Sequence, residues 1–147
     1  MKIFLDMCCY NRPYDDQSQF KIFLETQCKL YIQDLIKEEK FDLVGSFTLD
    51  YEISRNPFEM RKQAISNFIH KHMHTYVSAK NFDKIKIIAD EIMMTGVKEK
   101  DAFHVASAIY SGCKYFITTD LRLLKYKTDS IQLVSPIEFI IETGDEE

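Results

Sequence analysis

Residues 100–125 read KDAFHVASAIYSGCKYFITTDLRLLK. In the first half, Ala102, Val105, Ala106 and Ile109 recur on one helical face, and Gly112 stands where a left-handed C-cap belongs. The second half becomes an apolar strand, residues 114–120, that closes on Asp120. The chain opens in the same way: MKIFLDMCC predicts a strand over residues 2–6, in which Ile3, Phe4 and Leu5 run into Asp6. A carboxylate is rarely buried alone. Asp6 therefore either caps its strand or is placed at the end of it to bind something.

Working outward, residues 8–16 (CCYNRPYDD) carry turn chemistry and predict a loop. A helix is predicted over 17–38, with Phe20, Phe23, Leu24, Tyr31 and Leu35 on recurring turns. A strand follows over 42–46, then helices over 47–54 and 58–72, broken at Asn56-Pro57. A strand at 75–79 precedes a helix over 81–94 that ends at Gly96. After Asp120 come a helical turn (LRLLK), a strand (IQLVS) and a closing helix opened by Pro136. Strands alternate with helices throughout. That pattern predicts an α/β fold, a three-layer α/β/α sandwich around a central, mostly parallel sheet. Repeats and linkers are absent, so residues 1–147 read as a single domain, with a loose tail from about residue 143.

The composition removes several classes of function. The four glycines, Gly45, Gly96, Gly112 and Gly144, are too far apart for a dinucleotide fingerprint, a P-loop or a GxSxG elbow. Four cysteines without CxxC spacing do not make a four-cysteine zinc site, and Cys8 and Cys9 read as reduced thiols. No apolar run is long enough to span a bilayer, and Asp6 interrupts any signal-peptide pattern, so the expected location is the cytoplasm, with no membrane partner. The net charge of −4 is the wrong sign for a nucleic-acid binder, unless bound cations invert it locally.

Ligands in open α/β sheets bind beyond the carboxyl ends of the strands. Asp6 and Asp120 end strands, Glu52 lies on the helix leaving the strand over 42–46, and Asp101 opens the helix that begins KDAFHVAS. Four carboxylates on one rim repel unless cations lie between them. Oxygen ligands suit Mg²⁺ or Mn²⁺ rather than zinc, and such ions serve phosphodiester hydrolysis. Capping and solvation remain the competing reading of the same residues.

The stretch KDAFHVASAIYSGCKYFITTDLRLLK resembles the C-terminal half of the PIN-domain pattern: an Asp opening a small-residue helix, then an apolar strand ending in TxD. IFLDMCCYNRP resembles the family's opening strand and first aspartate, and GSFTLDYEI resembles the segment carrying its second acid. The resemblance covers nearly the whole chain. It implies a PIN-like fold and a Mg²⁺- or Mn²⁺-dependent ribonuclease whose metals are held by Asp6, Glu52, Asp101 and Asp120. In it, Thr118 supports the site through its hydroxyl. It further implies hydrolysis with water as nucleophile, leaving 5′-phosphate and 3′-hydroxyl ends. Many small members are VapC-like toxins of toxin–antitoxin pairs and form homodimers, so the implied partners are RNA, an antitoxin protein and a second copy. The loop CCYNRPYDD departs from the commoner toxin opening.

Two other functions compete. A phosphoacceptor with Asp6 as nucleophile fits poorly, because Cys8 stands where a second acid would be and Asp120 where a lysine would be. A non-catalytic PIN-like RNA- or protein-binding module would be expected to lack one of the acids, and all four are present. Asp50 is the alternative second acid, read as facing solvent. His70 and His74 are one helical turn apart but lack a third zinc ligand. His104 follows Asp101 by three residues, which would place it near the metals, but the favoured reading is a partly buried histidine at the edge of the site. Arg12, Arg55, Arg61, Lys62, Lys98 and Lys100 are candidates for phosphate contacts, whereas Lys80, Lys84 and Lys86 read as a solvated face. Tyr10 and Tyr14 lie beside Asp6, where stacking on bases competes with packing.

Overall fold

The computed structural model describes residues 1–144. Its sheet has five strands, β1 (Lys2–Leu5), β2 (Asp42–Ser46), β3 (Met73–Val77), β4 (Tyr115–Ile117) and β5 (Gln132–Val134). They lie in the order β3-β2-β1-β4-β5, and every pairing is parallel. The helices are α1 (Met7–Asn11), α2 (Phe20–Lys37), α3 (Phe47–Ser54), α4 (Glu59–His72), α5 (Phe82–Met93), α6 (Glu99–Tyr110), α7 (Leu121–Leu124) and α8 (Pro136–Gly144). The architecture is the three-layer α/β/α sandwich with a parallel sheet that the alternation predicts.

The central strand β1 sets both faces of the core. Successive side chains on a strand point to opposite faces. Phe4 is in register with Phe116, and the two rings stack at 5.2 Å on the face that also holds His104 of α6. Tyr115, one residue earlier on β4, packs edge-on against Phe139 of α8, which also meets Phe41. Near α6 the sheet is covered by Ala102, Val105, Ala106 and Ala108, all buried. Gly45 lets α4 approach β2, since a Cβ there would lie 2.8 Å from Met73 Sδ and 3.2 Å from Ile69 Cγ2. Gly96 and Gly112 follow α5 and α6 with φ of 102° and 82°, a conformation a side chain would resist.

Several local expectations change. Residues 8–16 are not a plain loop: Asp6 caps α1, and Arg12–Tyr14 forms a 3-10 turn. The face of α2 is not the predicted one, because Phe20, Phe23 and Tyr31 are exposed while Glu25, Thr26 and Lys29 are buried with Ile32, Leu35 and Ile36. β4 ends at Ile117, so Asp120 does not end a strand; it caps α7 instead. His74 belongs to β3, not to α4, so His70 and His74 do not share a helix. Thr143 and Gly144, placed in the tail by the sequence pattern, complete α8, and the rest of the tail lies outside the described residues. Among the described residues no helix is long and apolar enough to cross a membrane.

Candidate metal centre

Asp6 follows β1 directly, and its backbone N–H still donates to Ile117 O at 2.9 Å. The strand pairing thus fixes where the carboxylate emerges. Oδ1 accepts from the Met7 N–H at 2.8 Å, capping α1. Oδ2 accepts from the Thr118 hydroxyl at 2.9 Å and from the Cys8 thiol at 3.5 Å. Thr118 Oγ1 also accepts the Asp120 N–H at 3.1 Å, so one hydroxyl ties the ends of β1 and β4 together. Burial pushes the Asp6 carboxyl above the ordinary aspartate range and Glu52 adds to that, while His104 and Thr118 pull it down.

Glu52 reaches the same place from α3, whose N-terminus is capped by Ser46 Oγ accepting from the Leu49 N–H at 3.1 Å. Its Oε2 lies 3.2 Å from His104 Nε2 and 3.5 Å from Lys100 Nζ. Burial would raise the Glu52 carboxyl, but His104 and Lys100 outweigh it and hold the group low. His104 is wholly enclosed rather than at the edge. Its Nδ1 lies 3.2 Å from Thr48 Oγ1, which in turn is 2.9 Å from Ser46 Oγ. This chain fixes the ring and, through it, Glu52.

Asp6, Glu52 and His104 each offer a ligand atom, and these atoms lie within 4.8 Å of one another. That is the spacing of donors able to share one cation. Asp101 and Asp120 do not join this group of three, yet Asp101 faces the charges of both Asp6 and Asp120. Burial, then Asp6, then Asp120 push the Asp101 carboxyl up, and Lys100 and His104 only partly compensate. Asp101 makes no side-chain hydrogen bond or ion pair among the described residues. Asp120 Oδ1 accepts from the N–H groups of Arg122 and Leu123, so the capping reading holds for that oxygen. A donor set of carboxylates with one imidazole, whose mutual repulsion Lys100 and His104 relieve only in part, fits a divalent cation.

The other candidates lie elsewhere. Asp50 does not simply face solvent: it accepts from Tyr76 OH at 2.7 Å and lies 2.9 Å from His70 Nε2, tying α3 to α4 and β3. Burial and that carboxylate push the Tyr76 phenol up to about 12. Tyr10 is buried and packs against Phe68, so it cannot stack on a base. Tyr14 is exposed, with the Arg61 guanidinium 4.7 Å from its ring. Arg12 bonds Glu25 and Asp15 and is structural. His104, marked in the sequence by its spacing from Asp101, lies with Asp6 and Glu52 rather than at the edge, while nothing in the sequence singles out Cys8 as a partner of Asp6.

No protein-family model matches the chain, and no curated protein is significantly similar to it. Among solved structures, the chain is similar to FitAcB from Neisseria gonorrhoeae, over 92% of this chain and 98% of that one, at 14% identity and a TM-score of 0.47.

Proposed function

We propose that the chain is a metal-dependent endoribonuclease that hydrolyses RNA phosphodiester bonds, with the PIN-like pattern of its sequence as the guide to substrate class. The observation that carries this reading is the unpartnered, partly buried carboxylate of Asp101, which shares a cleft wall with Asp120 and feels the charges of Asp6 and Asp120. Asp16 and Asp90 are hydrogen-bonded or paired, and the aspartates without a partner among the described residues, Asp34, Asp83 and Asp129, are exposed to water, whereas Asp101 is partly buried. A carboxylate left to repel its neighbours is more economically explained by a cation it is built to hold.

Asp6, Asp101 and Asp120 would hold Mg²⁺ or Mn²⁺, and Glu52 would complete the set. Such an ion, when bound, polarises the phosphate and lowers the pKa of the attacking water. The chain's own groups do the rest. Thr118 fixes Asp6, while His104 and Lys100 keep Glu52 ionised and aimed at the site. An ionised Glu52 can accept the proton of the attacking water. Water adds to phosphorus and the bond to the 3′ oxygen breaks. The 5′ end keeps the phosphate, the 3′ end becomes a hydroxyl, and the 2′-hydroxyl is not consumed. The same resemblance supports a role as the toxin of a toxin–antitoxin pair, as a homodimer with an antitoxin protein as its partner.

Cleavage of an end-labelled RNA pool in Mn²⁺ tests this. The wild type should cut, EDTA should stop it, and Asp101→Asn should cut slower by about 100-fold or more. Equal cutting by the two proteins would remove Asp101 from the site. A wild type that binds RNA without cutting it would leave a binding module.

A further inference from the structure

Beside the carboxylates, a cleft of about 920 Å³ opens between residues 95–98 and the stretch from Asp120 to Lys127. Asp101 and Asp120 form part of its wall. The volume is far more than a metal ion needs and lies near the top of the ~300–1,000 Å³ range of small-molecule sites. Its charge is the reverse of the molecule's. Lys98, Lys100, Arg122, Lys125 and Lys127 line it, five of the chain's 19 basic residues, against two of its 23 acidic ones.

Lys100 is engaged with Glu52. The side chains of Lys98, Arg122, Lys125 and Lys127 have no hydrogen-bond or ion-pair partner among the described residues. Outside the cleft, Arg12, Lys62 and Lys86 are ion-paired with Glu25, Glu59 and Asp90, and the remaining cations are spread along the chain rather than gathered on one wall. In a chain with net charge −4, four unpaired cations gathered beside a carboxylate rim create a strong local field of opposite sign. Arg122 and Lys125 are three residues apart across α7, so they share a side. Leu121 and Tyr126 add apolar wall between the charges.

We propose that this cleft is a track for the phosphates of a single-stranded RNA, leading from the carboxylate rim along α7 to Lys127. The inference rests on the nuclease reading for its occupant. Lysine and arginine contacts to phosphate give affinity without reading sequence, which suits a chain with no base-reading module. An apolar wall beside them gives the sugars and base faces a surface.

The test is fluorescence anisotropy with a labelled single-stranded RNA of about 12 nucleotides, in Ca²⁺ to hold back cleavage. The full chain is compared with Arg122→Ala/Lys125→Ala/Lys127→Ala and with Lys80→Ala/Lys84→Ala/Lys86→Ala. The first variant should bind at least about tenfold more weakly, with its log–log salt slope reduced by about 2. The second should stay within about twofold of wild type. Restoring charge as Arg122→Lys/Lys125→Arg/Lys127→Arg should restore both affinity and slope. Equal loss in both alanine variants, or none in the first, overturns the track. In cleavage, the first variant should raise KM with kcat nearly kept. A wild type that cuts while this variant keeps its KM overturns the track and leaves the nuclease standing. A wild type that never cuts, yet shows the expected binding pattern, keeps the track and overturns only the nuclease.

Discussion

Around α6 and β4 the core is made of Ala102, Val105, Ala106, Ala108 and Phe116, all fully buried. Between α1 and α2 the buried side chains include Glu25, Thr26 and Lys29, while Phe20 on the same helix is 74% exposed. In the first region apolar spacing and burial agree, because a small-residue helix lies flat on a strand. In the second, burial follows partners instead. Glu25 is 1% exposed because Arg12 reaches it at 3.1 Å from the turn after α1. Lys29 lies over the Tyr10 ring at 5.5 Å, and burial pushes its ammonium down to about 8. Tyr10 OH and Thr26 Oγ1 have no hydrogen-bond partner there. Hydrophobic periodicity finds a helix face only when the surface beneath it is apolar.

The largest effect that would break this contrast is expected at Arg12. Arg12→Ala leaves a buried carboxylate without its cation, and should cost about 3 kcal/mol in urea unfolding. Adding Glu25→Leu should recover much of that loss. A cost for Arg12→Ala below about 0.5 kcal/mol would mean that the pair is not what turns α2.

A smaller effect, of opposite sign, belongs to the apolar region. The Asp101 carboxyl sits above its ordinary value in the folded chain. Between the two values the folded chain therefore holds more protons than the unfolded one, and the metal-free protein loses stability as pH rises through that window, above about pH 4. Asp101→Asn should raise the Tm of the metal-free protein at pH 7 and change it less at pH 4. An equal change at both values, or a drop at pH 7, would show that Asp101 is not strained by its neighbours. The smallest effect is expected at Phe20: Phe20→Ser should change stability by less than about 0.5 kcal/mol, because the ring is already in water. A loss above about 1.5 kcal/mol would show that the exposed face is covered in solution.

These contrasts also set how much could be read from the sequence. β2 and α3 were legible to the residue, because Ser46 both ends the strand and caps the helix. Asp6 meets the capping reading with Oδ1, which accepts from the Met7 N–H, while Oδ2 is held by Thr118 and Cys8. Asp120 was placed at the right edge for the wrong reason, since the chain leaves the sheet at Ile117 and reaches Asp120 through a cap. α1 was hidden by Asn11, Arg12 and Pro13, whose turn chemistry belongs to the 3-10 turn behind it. His104 was legible as a neighbour of Asp101 but not as the partner of Glu52, because a histidine among Val105 and Ala106 looks like core until Glu52, 52 residues away in sequence, is brought to its Nε2.

The central proposal is that Asp6, Glu52, Asp101 and Asp120, with His104 holding Glu52, bind a divalent cation. Titration of the metal-free protein with Mn²⁺, followed by the electron paramagnetic resonance of the free ion, tests it most directly. The account predicts saturable binding that Asp6→Asn and Asp101→Asn each weaken by about tenfold or more, while Asp50→Asn leaves it unchanged. Binding that survives both substitutions, or no binding by the wild type, would contradict it.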